Sequence, residues 1–131
     1  MVTAETSQDR LRGARVLVAE DEPSIVMFLV DYLEMLDVNV VGPAGDVASL
    51  DRLLDAGPVD AALLDIKLGG ESVYPIADRL AAAGIPFVLT SGYDDEVPTR
   101  FADRPRCSKP YRLQTLTQAL QGVLEAHAPR G

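Results

Sequence analysis

Cysteine is almost missing from this chain. A single thiol, Cys107, excludes an internal disulfide and fits a reducing, cytoplasmic setting. No apolar run approaches the ~18–20 residues of a membrane-spanning helix, and the N-terminal MVTAETSQDR lacks a signal-peptide core. Positive charge is also scarce: 12 Lys and Arg stand against 20 Asp and Glu, for a net charge of −8. A nucleic-acid surface needs clustered Lys and Arg, so that class of partner is set aside. There is no P-loop glycine-lysine motif, no GxGxxG, no CxxC pair and no GxSxG, and neither a repeat nor a low-complexity segment. An acidic chain can still bind phosphate locally, through a metal ion or one well-placed lysine.

What is present is an ordinary core-forming composition. At 131 residues and 47% hydrophobic content, the chain makes one domain. Residues 1–13 are polar and aperiodic and read as a flexible leader, 14–127 as the domain, and 128–131 as a tail. Within the domain, five short apolar runs alternate with helical patterns. Arg15 to Glu20 reads as a buried first strand, and Pro23 opens a helix striped by Ile25, Phe28, Leu29, Tyr32, Leu33 and Leu36. Val38 to Val41 form the second strand, stopped by Gly42-Pro43, and Asp46 caps a second helix. Asp60 to Leu64 give the third strand. Ser72 or Glu71 caps a third helix that Gly84 ends. Pro86 to Thr90 form the fourth strand. The stretch Gly92 to Pro105 leaves room only for a short or irregular fourth helix, Arg106 to Ser108 make a fifth strand, and Leu113 to Leu124 stripe the last helix.

Alternating strands and helices, with strands buried on both faces, predict an α/β fold: a doubly wound five-stranded parallel sheet with helices on both sides. In such sheets ligands bind beyond the carboxyl ends of the strands. Those ends carry Glu20 and Asp21, Asp65, Ser91, and Lys109. Three carboxylates brought close together repel unless a cation joins them, and oxygen-only ligands suit Mg²⁺. A dry carboxylate beside a hard cation, a lysine and a hydroxyl is the equipment of a phosphoryl acceptor, whose product is an aspartyl phosphate.

The segments VLVAEDEP, LLDIKL, PFVLTSGY and SKPY, in this order, resemble the receiver domain of bacterial two-component response regulators, over residues 15 to about 126. The spacing from Asp21 to Asp65 (65 − 21 = 44) matches that family. The resemblance implies the flavodoxin-like strand order 2-1-3-4-5. It also implies Asp65 as phosphoacceptor, and Glu20, Asp21, Asp65 and the backbone carbonyl of Lys67 as the Mg²⁺ ligands. Ser91 becomes the switch hydroxyl. Lys109, ahead of a cis peptide to Pro110, becomes the charge-offsetting lysine. A histidine kinase or phosphotransfer protein would donate the phosphoryl group, docking on the first helix near Ile25 to Asp31. With about 20 residues after Lys109, the chain reads as a stand-alone domain. It would signal to a protein partner as a monomer or weak homodimer, or shuttle and sink phosphate, and assist its own phosphorylation and dephosphorylation rather than act as an enzyme on a separate substrate.

Two departures narrow the resemblance. Ser91 to Lys109 is short (109 − 91 = 18), and Pro86-Phe87 with Ser91-Gly92-Tyr93 resembles the single-domain "FATGUY" receivers of alphaproteobacteria, with Thr90-Ser91 in place of Ala-Thr. Arg106 stands where many receivers carry a switching Tyr or Phe, which moves attention to Tyr93. Two other readings stay open: a degenerate receiver that binds partners without phosphorylation, and an aspartate-based phosphatase. The second wants an acid two residues after its nucleophile, where this chain has Lys67.

Overall fold

The computed structural model describes residues 10–92 and 95–127. The leader before residue 10, Tyr93 and the tail from 128 lie outside the described residues. Five strands, β1 (Arg15–Ala19), β2 (Asn39–Ala44), β3 (Ala61–Asp65), β4 (Phe87–Ser91) and β5 (Arg106–Ser108), form one sheet in the order 2-1-3-4-5. Every pairing in it is parallel.

The period-2 alternation of strand side chains divides the core in two. Leu17, Ala19, Leu64, Phe87 and Leu89 face one layer, where α2 (Val47–Ala56) contributes Leu50 and α3 (Tyr74–Ala82) contributes Ile76 and Leu80. Val16, Val18, Leu63, Val88 and Cys107 face the other, against Leu29 and Leu33 of α1 (Pro23–Met35) and Leu116 and Leu120 of α4 (Leu113–Ala126). Each fully buried Leu or Phe contributes ~1.5–3 kcal/mol, so both layers hold the central strands in place. Leu11 also packs into the second layer, and the Gly13 N–H donates to the Asp37 carbonyl at 2.7 Å. The packed domain therefore begins ahead of the boundary expected at residue 14.

Four local expectations need correction. First, β2 does not stop at Gly42-Pro43 but runs on to Ala44. Gly42 takes φ +97°, and the β1–β2 register shifts between Leu17↔Val41 and Ala19↔Ala44. A Cβ there would lie 3.1 Å from the Ala44 nitrogen. The breaker pair thus makes a bulge, tolerated because β2 is an edge strand. Second, Ser72 is not the N-cap residue of α3, although its Oγ accepts the N–H of Tyr74, the first residue of that helix, at 3.2 Å. It lies in a two-stranded hairpin, Lys67–Leu68 with Glu71–Ser72, that turns on Gly69 and Gly70, both at positive φ. Third, the N-cap position of α3 is Val73, without a side-chain cap. Glu71 instead accepts from the Val47 N–H, at the start of α2, at 3.4 Å. Fourth, β3 and β4 each reach one residue further than read, taking in Asp65 and Ser91.

Among the described residues, the expected irregular stretch after β4 holds one 3₁₀ turn, Thr99–Phe101. One aromatic anchors it: Phe101 is buried, stacked on Tyr74 and edge-on to Phe87, each at 5.7 Å between ring centres. Arg100 clasps Asp78 of α3 with two bonds of 2.8 and 3.1 Å, and the Tyr74 hydroxyl donates to the Glu96 carbonyl at 2.7 Å.

Candidate functional site

The carboxyl ends of β1 and β3 bring Glu20, Asp21 and Asp65 together, with one oxygen of each within 4.8 Å of the others. Glu20 is 3% and Asp65 4% exposed, while Asp21 stands in solvent. Each acid is held by backbone geometry. Glu20 directly follows the buried first strand, and its carboxylate accepts the Asp21 and Glu22 N–H groups at 3.2 and 3.1 Å, tightening the turn into α1. Asp21 accepts the Gly69 N–H at 2.7 Å. The loop before α2 presses on Asp21 so closely that a Cβ on Gly45 would lie 3.2 Å from the Asp21 Cβ.

Lys109 enters from the far side, just past β5, with a cis peptide to Pro110. Its Nζ lies 2.8 Å from Asp65 Oδ2 and 3.4 Å from Glu20 Oε1. One ammonium thus serves two buried acids. Burial, then the charge of Asp65, pushes Glu20 up to about 7. For Lys109, burial works against the charge, but the hydrogen bond and charge of Asp65, followed by Glu20, outweigh it and hold the ammonium above its usual range. Tyr111 follows in the same turn. Burial and then Glu20 push its hydroxyl up to about 12, and that hydroxyl finds no hydrogen-bond partner among the described residues.

Ser91 ends β4 buried, one residue past the Asp65↔Thr90 pairing, and its carbonyl accepts the Lys109 N–H at 2.8 Å. Glu20, Asp21, Asp65, Ser91 and Lys109 therefore gather at one end of the sheet. Arg106 does not join them. It is exposed on β5 and borders a cleft of about 470 Å³ with Leu89, Val97 and Phe101, on the face where a fuller fourth helix would lie.

The donor set fits a hard divalent cation: all oxygen, three acids, two of them buried. A raised carboxylate pKa means that the folded state binds the proton more tightly than the unfolded chain. Stability of the cation-free protein is therefore expected to fall as pH rises from about 4.5 to beyond 7, by at most about 3 kcal/mol. Urea melts in a chelator measure this slope, which Glu20→Gln should abolish and Mg²⁺ should flatten. A slope unchanged in Glu20→Gln would assign the pH dependence to another group.

No family model matches the chain. Solved structures do. SdrG from Sphingomonas melonis Fr1 is 42% identical, superposes with a TM-score of 0.74, and is matched over 87% of this chain and 98% of its own. SdrG from Pseudomonas melonis Fr1, in a BeF₃-activated conformation, is 43% identical over 84% of this chain and 95% of its own, with a TM-score of 0.70. The receiver domain of the response regulator PhyR from Erythrobacter litoralis shares the fold at 23% identity, with a TM-score of 0.78 over 92% and 97% of the two chains. The chain belongs to the response-regulator receiver family. Among curated proteins, this receiver is 28% identical to the transcriptional regulatory protein PdtaR of Mycobacterium tuberculosis, over 92% of the chain but only 62% of the length of that relative.

One pairing in the receiver has no precursor in the sequence reading. Lys67, read from the sequence for its backbone carbonyl alone, sets Nζ 3.1 Å from Asp95 Oδ1, and the Asp95 side chain is only 8% exposed. The other Asp95 oxygen accepts the Gly92 N–H at 2.6 Å. In the sequence, Asp95 belongs to the acidic run Asp94-Asp95-Glu96, which reads as a solvated loop. The reach back of Asp95 over three residues to a glycine N–H is the sole local signal.

Proposed function

We propose that this receiver accepts a phosphoryl group from a phosphohistidine onto Asp65, in a Mg²⁺-dependent reaction, and passes the signal on through a protein partner or drains it as a phosphate sink. The observation that carries the reading is the Lys109 ammonium lying between two buried acids, 2.8 Å from Asp65 and 3.4 Å from Glu20. Glu20, Asp21, Asp65 and the Lys67 carbonyl would hold Mg²⁺, which when bound supplies positive charge beside the phosphoryl oxygens. Asp65 is the nucleophile: one of its oxygens bonds to phosphorus as the bond from phosphorus to the donor imidazole nitrogen breaks. That nitrogen keeps the electron pair. Lys109 follows the charge onto the phosphoryl oxygens, and the Ser91 hydroxyl donates a hydrogen bond to one of them. The same groups assist later hydrolysis, so the chain is a self-assisting phosphoacceptor rather than an enzyme with a separate substrate.

Among the described residues no helix is long and apolar enough to cross a membrane. A cytoplasmic kinase or phosphotransfer protein is the donor proposed. The large apolar side chains exposed on the described surface, Met27, Phe28 and Met35, all lie on α1, and the first two fall in the Ile25 to Asp31 stretch. Phosphohistidine donors are expected to label the wild type only with Mg²⁺ present. Phe28→Glu should slow transfer from a protein donor about ten-fold or more, the equivalent of ~1.4 kcal/mol, and leave labelling by acetyl phosphate unchanged. A wild-type chain that takes label from neither donor would overturn the proposal.

A further inference from the structure

The Lys67–Ser72 hairpin touches three of the other loops at the acidic end of the sheet. Lys67 reaches Asp95 in the stretch after β4 at 3.1 Å. The Gly69 N–H reaches Asp21 after β1 at 2.7 Å, and Glu71 reaches the Val47 N–H after β2 at 3.4 Å. The hairpin has little freedom of its own. Leu68 is fully buried in the core, and the Val73 N–H returns to the Ile66 carbonyl at 2.9 Å, closing the base of the loop. Gly69 and Gly70, at φ 54° and 88°, give the tight turn whose hand matches the twist of paired strands. A short element pinned at its base and tied at both edges moves as one piece.

We propose that this hairpin is a strap coupling the acidic cluster to the Asp95–Phe101 segment, with the Lys67–Asp95 pair as the link. The inference rests on the receiver reading for its biological meaning, but its geometry is independent of phosphoryl transfer. At one end, an Asp21 oxygen is committed to Gly69 N–H, so any change in the charge carried by the cluster is felt at the turn. At the other end, the Asp95 carboxylate is held by two donors, Lys67 and the Gly92 N–H. Shifting Lys67 therefore pulls on a side chain that is also tied to the end of β4. Beyond Asp95, Glu96 is tied to Tyr74 and Arg100 to Asp78, so displacement there rearranges contacts with α3 rather than fading into solvent. This coupling route needs no aromatic at the position of Arg106. As a pure stability device the pair would be weak, since Lys67 is 72% exposed.

Amide chemical shifts on the ¹⁵N-labelled chain, with Mg²⁺ alone as the probe and then Mg²⁺ with beryllofluoride, test the strap. In the wild type, the Gly69 amide and those of Val97, Thr99, Arg100 and Phe101 should shift with one common midpoint. In Asp95→Asn, whose amide still accepts from Gly92 but carries no charge for Lys67, the Gly69 shift should persist. The response at 97–101 should fall at least two-fold. Lys67→Met should cut the same response from the other end. Undiminished shifts at 97–101 in both variants would overturn the strap, even if Asp65 is phosphorylated normally. Coupled shifts in a chain that takes no phosphoryl group would keep the strap and remove the phosphoacceptor reading. No Mg²⁺-induced shift at Gly69 would overturn the strap as well.

Discussion

Asp65→Asn is expected to take no label from acetyl phosphate or from a phosphohistidine donor under conditions that label the wild type fully. The substitution is nearly isosteric, and the amide oxygen can still accept the Lys109 ammonium that lies 2.8 Å from Asp65 Oδ2. What it removes is the nucleophile, since the amide oxygen carries no full negative charge and its electron pair is delocalised into the C–N bond. Labelling should drop to background rather than by a modest factor, because neither of the other two acids in the cluster is placed as Asp65 is. Glu20 also touches Lys109, but two backbone N–H groups occupy its other oxygen, and Asp21 stands in solvent bonded to Gly69.

The same variant should be at least as stable as the wild type. Removing the Asp65 charge relieves the like-charge contribution that helps raise Glu20, although burial, the larger cause, remains. A gain of up to about 1–2 kcal/mol in cation-free buffer is expected from that relief. Loss of label with retained or increased stability separates a chemical role for Asp65 from a folding one. An acid-labile, hydroxylamine-sensitive label surviving in Asp65→Asn would move the acceptor to another carboxylate and remove the central claim about this site.

Much of this geometry was legible in the residues, for a physical reason. Buried parallel strands must be apolar along their length, so Val16-Leu17-Val18 and Ala61 to Leu64 declare themselves, and polar residues at their ends can only lie on the sheet's rim. Chemistry written at strand ends is therefore chemistry whose location is known. Three features escaped for equally physical reasons. Gly42-Pro43 signals a stop in any central strand, and nothing local says that β2 is an edge where a bulge is tolerated. The hairpin strands are two residues each, too short for a period to show. The Lys67–Asp95 pair joins two loops 28 residues apart (95 − 67 = 28), and neither side chain has a neighbour in sequence that betrays the other. Leu11 belongs with these. An apolar residue isolated among polar neighbours carries no pattern, yet Leu11 packs in the same layer as Ala14 and Val38.

Lys109→Met should be the most damaging substitution to the fold among the site residues, and its damage should depend on pH and on Mg²⁺. The lysine shares a nearly dry space with side chains only 2% and 5% exposed, those of Glu20 and Asp65. Methionine replaces its aliphatic stem with little change in volume, so packing is largely kept while the charge is lost. Two carboxylates then face each other without a cation, a situation that costs ~3–5 kcal/mol when one partner of a buried pair is removed. The protein escapes by protonating one of them. Glu20, already pushed up to about 7 by burial and Asp65, rises further without Lys109, which acts to lower it. The folded state then holds a proton that the unfolded chain has released, so stability lost at about pH 8 should return as pH falls through the raised value. Mg²⁺ should restore stability at high pH as well, by replacing the missing positive charge among the same oxygens. Urea denaturation of wild type and Lys109→Met between about pH 5 and pH 9, with chelator or Mg²⁺, measures all three limbs. A loss of equal size at every pH, indifferent to Mg²⁺, would mean that Lys109 contributes packing alone and that the acids are not held by its charge.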